Sequence, residues 1–401
     1  MNATMLRHAV ILGLLIAVGP FAIDAYLPAF GSIAAEFATD HGVVQLTVLC
    51  FVITMAAGQV IYGPLSDAIG RKPPVYAGLC LFVLGSIGCA LAGDVDSLLL
   101  WRLLQGLGAS AGMVLAIAII RDMHTGVEAA RLLSTAILAL SVSPILAPLA
   151  GGLLIQVASW RMIFWALALV AIGVGVLIWT SMPETHLPER RIRQNGLTVL
   201  RSYAALCRDR TFMSAVATAG FAQAALLAYV AGSSFVFITL YGVTPLTYSL
   251  IFAGNAATII GLAQLNATII RRIGAPRLIT LAVGWFVVMA VLMGLVMLTG
   301  QASLPVAALM IFLSLGALGM IMPNATMLAL EPMGAMAGTA SALGGFLQGL
   351  LGALATLLVS AAFDGTARPM VVVMAGSSLC CAAAWWLHLR ATSCRVSAVA
   401  G

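Results

Sequence analysis

Charge is nearly missing from this sequence of 401 residues: Asp, Glu, Lys and Arg together make up 8%, where an ordinary soluble domain carries about 25%. So little polar material cannot cover a core when 62% of the chain is hydrophobic, which excludes a water-soluble enzyme. Histidine is scarce and badly placed for catalysis. All five (His8, His41, His124, His186, His388) fall at the ends of apolar runs or in connections. No run holds a His–Asp pair, a nucleophile with its base or a metal cluster, so neither an intramembrane enzyme nor a bound metal or other cofactor is expected. The seven Cys (50, 80, 89, 207, 380, 381, 394) show no ligand-like or disulfide-like spacing and read as buried thiols. Forty Gly occur without a three-residue period, which excludes a collagen-like chain. Rings of charge and a filter sequence are also missing, which argues against a channel. The net charge of +6 does not form a stripe. Its basic residues sit between apolar runs, so no nucleic-acid partner is expected. Arg7 leads into a run that reads as a true first span, not a cleavable signal.

What the sequence does have is long apolar runs and a mean hydropathy of +1.10. A spanning helix needs about 20 apolar residues, and twelve runs qualify: 8–30, 44–66, 75–93, 98–120, 132–157, 162–181, 211–239, 246–270, 277–298, 303–329, 337–361 and 369–389. In lipid they must be helices, because open strands leave backbone groups unsatisfied. With the N-terminus placed inside, sixteen Lys and Arg fall in inner segments and two (Arg161, Arg368) in outer ones. That positive-inside bias places both termini in the cytoplasm. The polar stretch 182–210, with its run Glu189-Arg190-Arg191-Ile192-Arg193, splits the chain into an N-terminal bundle (1–181), a cytoplasmic linker (182–210) and a C-terminal bundle with a short tail (211–401). A weak repeat links the halves: Ile69-Gly70-Arg71 with Ile273-Gly274-Ala275, and Gly151-Gly152 with Gly344-Gly345. The expected fold is an all-α polytopic membrane protein of twelve helices in two pseudo-symmetric six-helix bundles. Parallel halves with a site between them at mid-membrane are a transporter architecture.

Residues 58–74 read GQVIYGPLSDAIGRKPP. Gly63 is expected to allow close helix approach and Gly70 a tight turn. Asp67 lies at a helix C-terminus, where a carboxylate opposes the dipole unless it is paired. This conflict predicts a latch, in which Asp67 and Arg71 engage Asp122 or Arg121 at the inner end of span four in one conformation. Gly63, Asp67, Gly70, Arg71 and Lys72 match the loop motif between spans two and three of the major facilitator superfamily, which the chain resembles along all twelve spans. WRLLQG (101–106) resembles that superfamily's membrane-embedded arginine motif. SPILAPLAGG (143–152), with Pro144, Pro148, Gly151 and Gly152, resembles its antiporter motif. IDAYLPAF (23–30), WRMIF (160–164) and AGTASALGG (337–345) resemble the bicyclomycin/chloramphenicol-resistance (Bcr/CflA) subfamily of multidrug exporters. The match departs at Ile16, since some related exporters carry a second acid deeper in span one.

Two charges lie clearly inside spans, Asp24 and Arg102, and each costs about 2.5–3.5 kcal/mol on insertion scales. Asp24 sits roughly 9 Å below the outer end of span one and Arg102 roughly 6 Å below that of span four. The depths allow a pair that would release a proton when formed and take one up when separated. Pro28 cannot bond the carbonyl of Asp24 and leaves it free. Tyr26, Gln59, Gln105 and Gln223 are candidate lining of a substrate cavity, as are Tyr229, Asn255, Asn324 and Gln348, although each alone also suits interhelical bonding. Phe235 and Phe237 suit an aromatic wall or plain core packing. The expected function is proton-driven antiport of small, largely apolar drugs out of the cell, with export of a metabolite as the alternative. The expected partners are a small-molecule substrate, protons and the bilayer of a bacterial inner membrane, and the chain is expected to act as a monomer.

Overall fold

The computed structural model describes residues 3–124, 126–186, 189, 196–298 and 302–400. The run Arg190-Arg191-Ile192-Arg193 lies outside them. Among the described residues there is no strand, and twelve helical segments are long and apolar enough to cross a membrane, from Met5–Glu36 to Arg368–Ser393. The all-α expectation therefore holds.

The chain forms two compact units, one of residues 1–194 with 244–253 and one of 195–243 with 254–401. The first holds α1 (Ala3–Asp24), α2 (Phe30–Glu36), α3 (His41–Ile69), α4 (Lys72–Leu91), α5 (Val95–Met123), α6 (Gly126–Val157) and α7 (Arg161–Ser181). The second holds α8 (Gly196–Arg208), α9 (Arg210–Ser234), most of α10 (Pro245–Ile273), α11 (Ala275–Leu298), α12 (Leu304–Gly316), α13 (Leu318–Leu330), α14 (Ala337–Ala361) and α15 (Arg368–Ala400).

Helices in lipid gain no hydrophobic energy from meeting each other, so they pack where small residues let backbones approach. Gly106 of α5 does this against α3: a Cβ there would overlap the carbonyl oxygen of Phe51. Gly63 does not. A Cβ at Gly63 would meet nothing within 4 Å, which corrects the expected close approach. The tight contact on that helix lies at Gly58, facing Ser110 of α5.

Two features go beyond the sequence reading. The stretch 182–210 contains a helix, α8, whose Leu206 is buried in a cluster with Phe212, Val216, Met333 and Leu343 while Arg201 and Arg208 are exposed. Spans one, seven and ten are also irregular. A 3-10 turn at Leu27–Ala29 separates α1 from α2, α9 runs into a π-helical turn at Phe235–Leu240, and α12 gives way to α13 around Ala317.

Candidate functional site

The first unit gathers the buried charges at the break in span one. Helix α1 stops at Asp24, and Pro28 is the middle residue of the 3-10 turn that follows, closed by Ala29 N–H donating to the Tyr26 carbonyl at 2.9 Å. The break sits against α6, where a Cβ on Gly151 would overlap the Ala25 carbonyl oxygen. This gives one glycine of the 143–152 motif a steric reason. Its neighbour Gly152 faces Ser249, whose hydroxyl donates at 2.8 Å to the Pro148 carbonyl. Asp24 is 7% exposed and is the only carboxylic acid among the buried side chains described.

Arg102 is fully buried on α5. Its Nη1 donates to the Gln105 amide oxygen at 2.6 Å and to the Ala22 carbonyl at 3.2 Å, and its Nε donates to the Thr47 carbonyl at 3.3 Å. Gln105 is fixed in turn by donating to Ser86 at 2.8 Å. The guanidinium carbon lies 4.4 Å from the ring centre of Tyr26, 4.3 Å from that of Phe51 and 5.9 Å from that of Phe164. Tyr26 hydrogen-bonds Thr47 through its hydroxyl. The expected Asp24–Arg102 pair is thus not formed: among the described residues no ion pair joins them. Oxygen acceptors and ring faces hold the cation instead, an arrangement worth about 2 kcal/mol or more per desolvated ring contact. Arg102 Nη2 is left buried and without a hydrogen-bond partner.

The box connects outward through aromatic contacts. Phe164 meets Tyr26 at 5.6 Å and Trp160 at 6.0 Å between ring centres. The Trp160 indole donates to Glu36 at 2.6 Å, and Arg161 pairs with Glu36 while donating to the Ala92 carbonyl at 2.9 Å. The WRMIF segment therefore clamps the end of α2 to the α4–α5 turn.

At the other end of the unit the loop residues form a network. Gly70 caps α3 with φ of +100°, a conformation that favours glycine. Arg71 Nε donates to Asp122 at 2.7 Å, and its Nη1 donates to Asp67 at 2.6 Å and to the Ser66 hydroxyl at 2.7 Å. Asp67 and Asp122 both stand at helix C-termini, against the dipole, and one guanidinium offsets both. Burial alone would lower the pKa of Arg71, but hydrogen bonds and charge from Asp122 and Asp67 raise it above the ordinary arginine value. Arg121 is exposed and takes no part among the described contacts.

The network has a member that the sequence reading missed. Glu184 accepts from the backbone N–H groups of Arg71 at 2.9 Å and Lys72 at 3.0 Å, at the favourable N-terminal end of α4. Burial pushes its carboxyl up, but backbone N–H groups of His186, Lys72, Arg71 and Thr185 outweigh that and hold it below the usual glutamate value. Lys72 donates its ammonium to the Met182 carbonyl at 2.8 Å and sits 5.8 Å from the Tyr76 ring and 6.0 Å from the Trp179 ring.

The eight residues read as cavity lining divide in two. Tyr26 and Gln105 belong to the Arg102 box. Asn255 donates to the Tyr229 hydroxyl at 2.9 Å, and Asn324 exchanges two hydrogen bonds with Asn266, at 2.7 and 3.1 Å. All five are buried. Gln59, Gln223 and Gln348 are half-buried with no hydrogen bond described. Phe235 and Phe237 are buried, Phe235 against Phe363.

Comparison with known proteins gives a match to the Major Facilitator Superfamily over residues 12–356. The chain is 37% identical over 378 residues to the uncharacterized MFS-type transporter YdgK of Bacillus subtilis, covering 92% of each chain. It is 30% identical over 363 residues to a bicyclomycin resistance protein homolog of Haemophilus influenzae, covering 90% of this chain and 91% of the other. Among solved structures it is similar to the xylose transporter XylE from E. coli in a partially occluded inward-open conformation, with a TM-score of 0.77 and 15% identity over 96% of this chain and 98% of that one. This last likeness concerns the fold alone.

Proposed function

The chain belongs to the major facilitator superfamily, and from that premise we propose that it is a proton-coupled antiporter. Its cargo in this reading is small, largely apolar drugs or antibiotics, exported across the inner membrane by alternating access, with both termini in the cytoplasm. The cargo class rests on the relatives named for drug resistance and on the apolar character of the spans. The observation that carries proton coupling is the placement of Asp24. It is the only buried acid described, it ends α1 at a break in the span, and it has no ionic partner while Arg102 is held two residues away at Ala22. A carboxyl of that kind can gain and lose a proton within a cycle. The resemblance to the antiporter motif supports exchange in opposite directions.

The test is Asp24→Asn in proteoliposomes. The reading expects uphill, proton-driven efflux to vanish while exchange of labelled for unlabelled substrate persists. Uphill efflux at the wild-type rate and with the wild-type pH dependence would overturn it.

A further inference from the structure

The second unit carries a group of cations that the transport reading does not use. Helix α10 ends at Ile273 and α11 begins at Ala275, joined only by Gly274 with φ of +81°. Arg271, Arg272 and Arg277 flank this turn, and all three are exposed. The stretch of α15 around Trp385 packs on the first turns of α11. Trp385 donates its indole N–H to Thr280 Oγ1 at 2.9 Å, and that hydroxyl donates to the Pro276 carbonyl at 2.8 Å. Arg277, one turn before Thr280, and Arg390, little more than a turn beyond Trp385, therefore stand at the same end of the α11–α15 pair.

Charge and chemistry at this end are unbalanced. None of the four arginines makes an ion pair among the described residues, in contrast to Arg71 and Arg161. Two of the three acids of this unit are engaged elsewhere, Asp209 accepting from the first N–H groups of α9 and Asp364 from Thr366. The third, Glu331, is exposed at the end of α13 and pairs with none of these arginines among the described residues. The guanidinium carbon of Arg390 lies over the exposed ring of Trp386, 3.6 Å from its centre. A weakly hydrated guanidinium over an indole is suited to a membrane boundary, where its donors can reach a phosphate and the ring can meet acyl chain. Leu281, Trp285, Trp386 and Leu387, exposed by 65%, 47%, 49% and 54%, give the same two helices an apolar flank.

We propose that this end of the α11–α15 pair is a binding surface for an anionic glycerophospholipid, whose phosphate is held by Arg277 and Arg390 and whose chains lie along Leu281, Trp285 and Trp386. Charge complementarity selects the occupant: unpaired arginines above an apolar flank fit an anionic headgroup and reject a zwitterionic one, which brings its own cation.

Native mass spectrometry of the intact detergent-purified protein tests this. Phosphatidylglycerol or phosphatidylcholine is added to wild type, to Arg277→Gln/Arg390→Gln, and to Arg7→Gln/Arg131→Gln, which removes two exposed arginines of the first unit. Phosphatidylglycerol should be retained over phosphatidylcholine by wild type. The Arg277→Gln/Arg390→Gln protein should retain it about thirtyfold less, and Arg7→Gln/Arg131→Gln as wild type does. Trp386→Ala, which keeps every charge, should give a smaller loss and guards against misfolding of the double variant. Equal losses in both double variants, equal retention of the two lipids, or displacement of phosphatidylglycerol by inorganic phosphate at the same concentration would each overturn the proposal.

Discussion

Arg102 donates to the carbonyl of Ala22 at 3.2 Å, and in doing so stands beside the end of α1 without engaging the carboxyl of Asp24. Acid and cation are thus held in one unit as neighbours and not as a pair. Ring faces and oxygen acceptors hold the buried cation, and none of the described hydrogen bonds or ion pairs involves the Asp24 carboxyl.

The ring faces are open to test. Phe51→Leu keeps most of the apolar volume and removes one side of the box around Arg102. It should destabilise the protein by about 2 kcal/mol, read as a lower melting temperature. Arg102→Lys should abolish uphill efflux, because an ammonium cannot stay flat between two rings while donating to Ala22, Thr47 and Gln105. An unchanged melting temperature in the first variant, or wild-type efflux in the second, would show that the box is incidental.

Two glycines of the motifs should behave oppositely. Gly151→Ala forces a methyl group into the Ala25 carbonyl and should cost about 1–3 kcal/mol of overpacking, with efflux largely lost. Gly63→Ala meets open space and should transport like wild type. The comparison is made by efflux and melting temperature on the same preparations.

The Glu184 anchor gives a signed pH effect. Its pKa is lower in the folded protein than in the unfolded chain, so the stability it contributes is present above the usual glutamate value and is lost as pH falls through the lowered one. Measured relative to an exposed control cysteine, because acid protonates every thiol and slows its labelling, labelling of a cysteine placed near the α3–α4 turn should speed up in that acid range for wild type. In Glu184→Gln it should be fast already at neutral pH, because the amide presents an N–H to a backbone N–H, at a cost of about 1–3 kcal/mol. Identical acid profiles for the two proteins would assign the opening to another group.

A single buried acid also sets an energetic limit on the proposed antiport. One proton exchanged for a neutral substrate moves one charge, worth about 2.3 kcal/mol per 100 mV, and one pH unit adds about 1.36 kcal/mol. Together they sustain a gradient of about 500-fold. Efflux of a neutral compound from proteoliposomes clamped with potassium and valinomycin should therefore respond to the imposed potential at zero pH gradient. Indifference to the potential would exclude one-proton exchange.

The spans were legible because lipid leaves a chain only one economical answer, and apolar runs bounded by arginine state it directly. Gly70, Arg71 and Asp67 were legible as a conflict with a helix dipole that something had to resolve. The rest of the site was not. Phe51 and Phe164 are ordinary apolar residues of ordinary spans, and only the fold brings them to Arg102. Glu184 binds backbone N–H groups, which have no letter in the sequence. Asp24 and Arg102 were legible as the two charges inside spans, but depth does not specify face, and the pair that their depths allow is not made among the described residues. Helix α8 escaped notice because its polar face reads as linker while its apolar face has only a few residues, Leu206 chief among them.

Lys72, whose ammonium is bound to the Met182 carbonyl beneath Tyr76 and Trp179, is the only lysine in the chain. Apart from the N-terminus, an amine-directed reagent therefore finds one nucleophile in the whole protein. Its reactivity becomes a clock for that loop: slow while the ammonium is bound, fast once α7 and α4 part at that end. Transport and loop opening can then be followed on the unmodified protein, with no engineered probe.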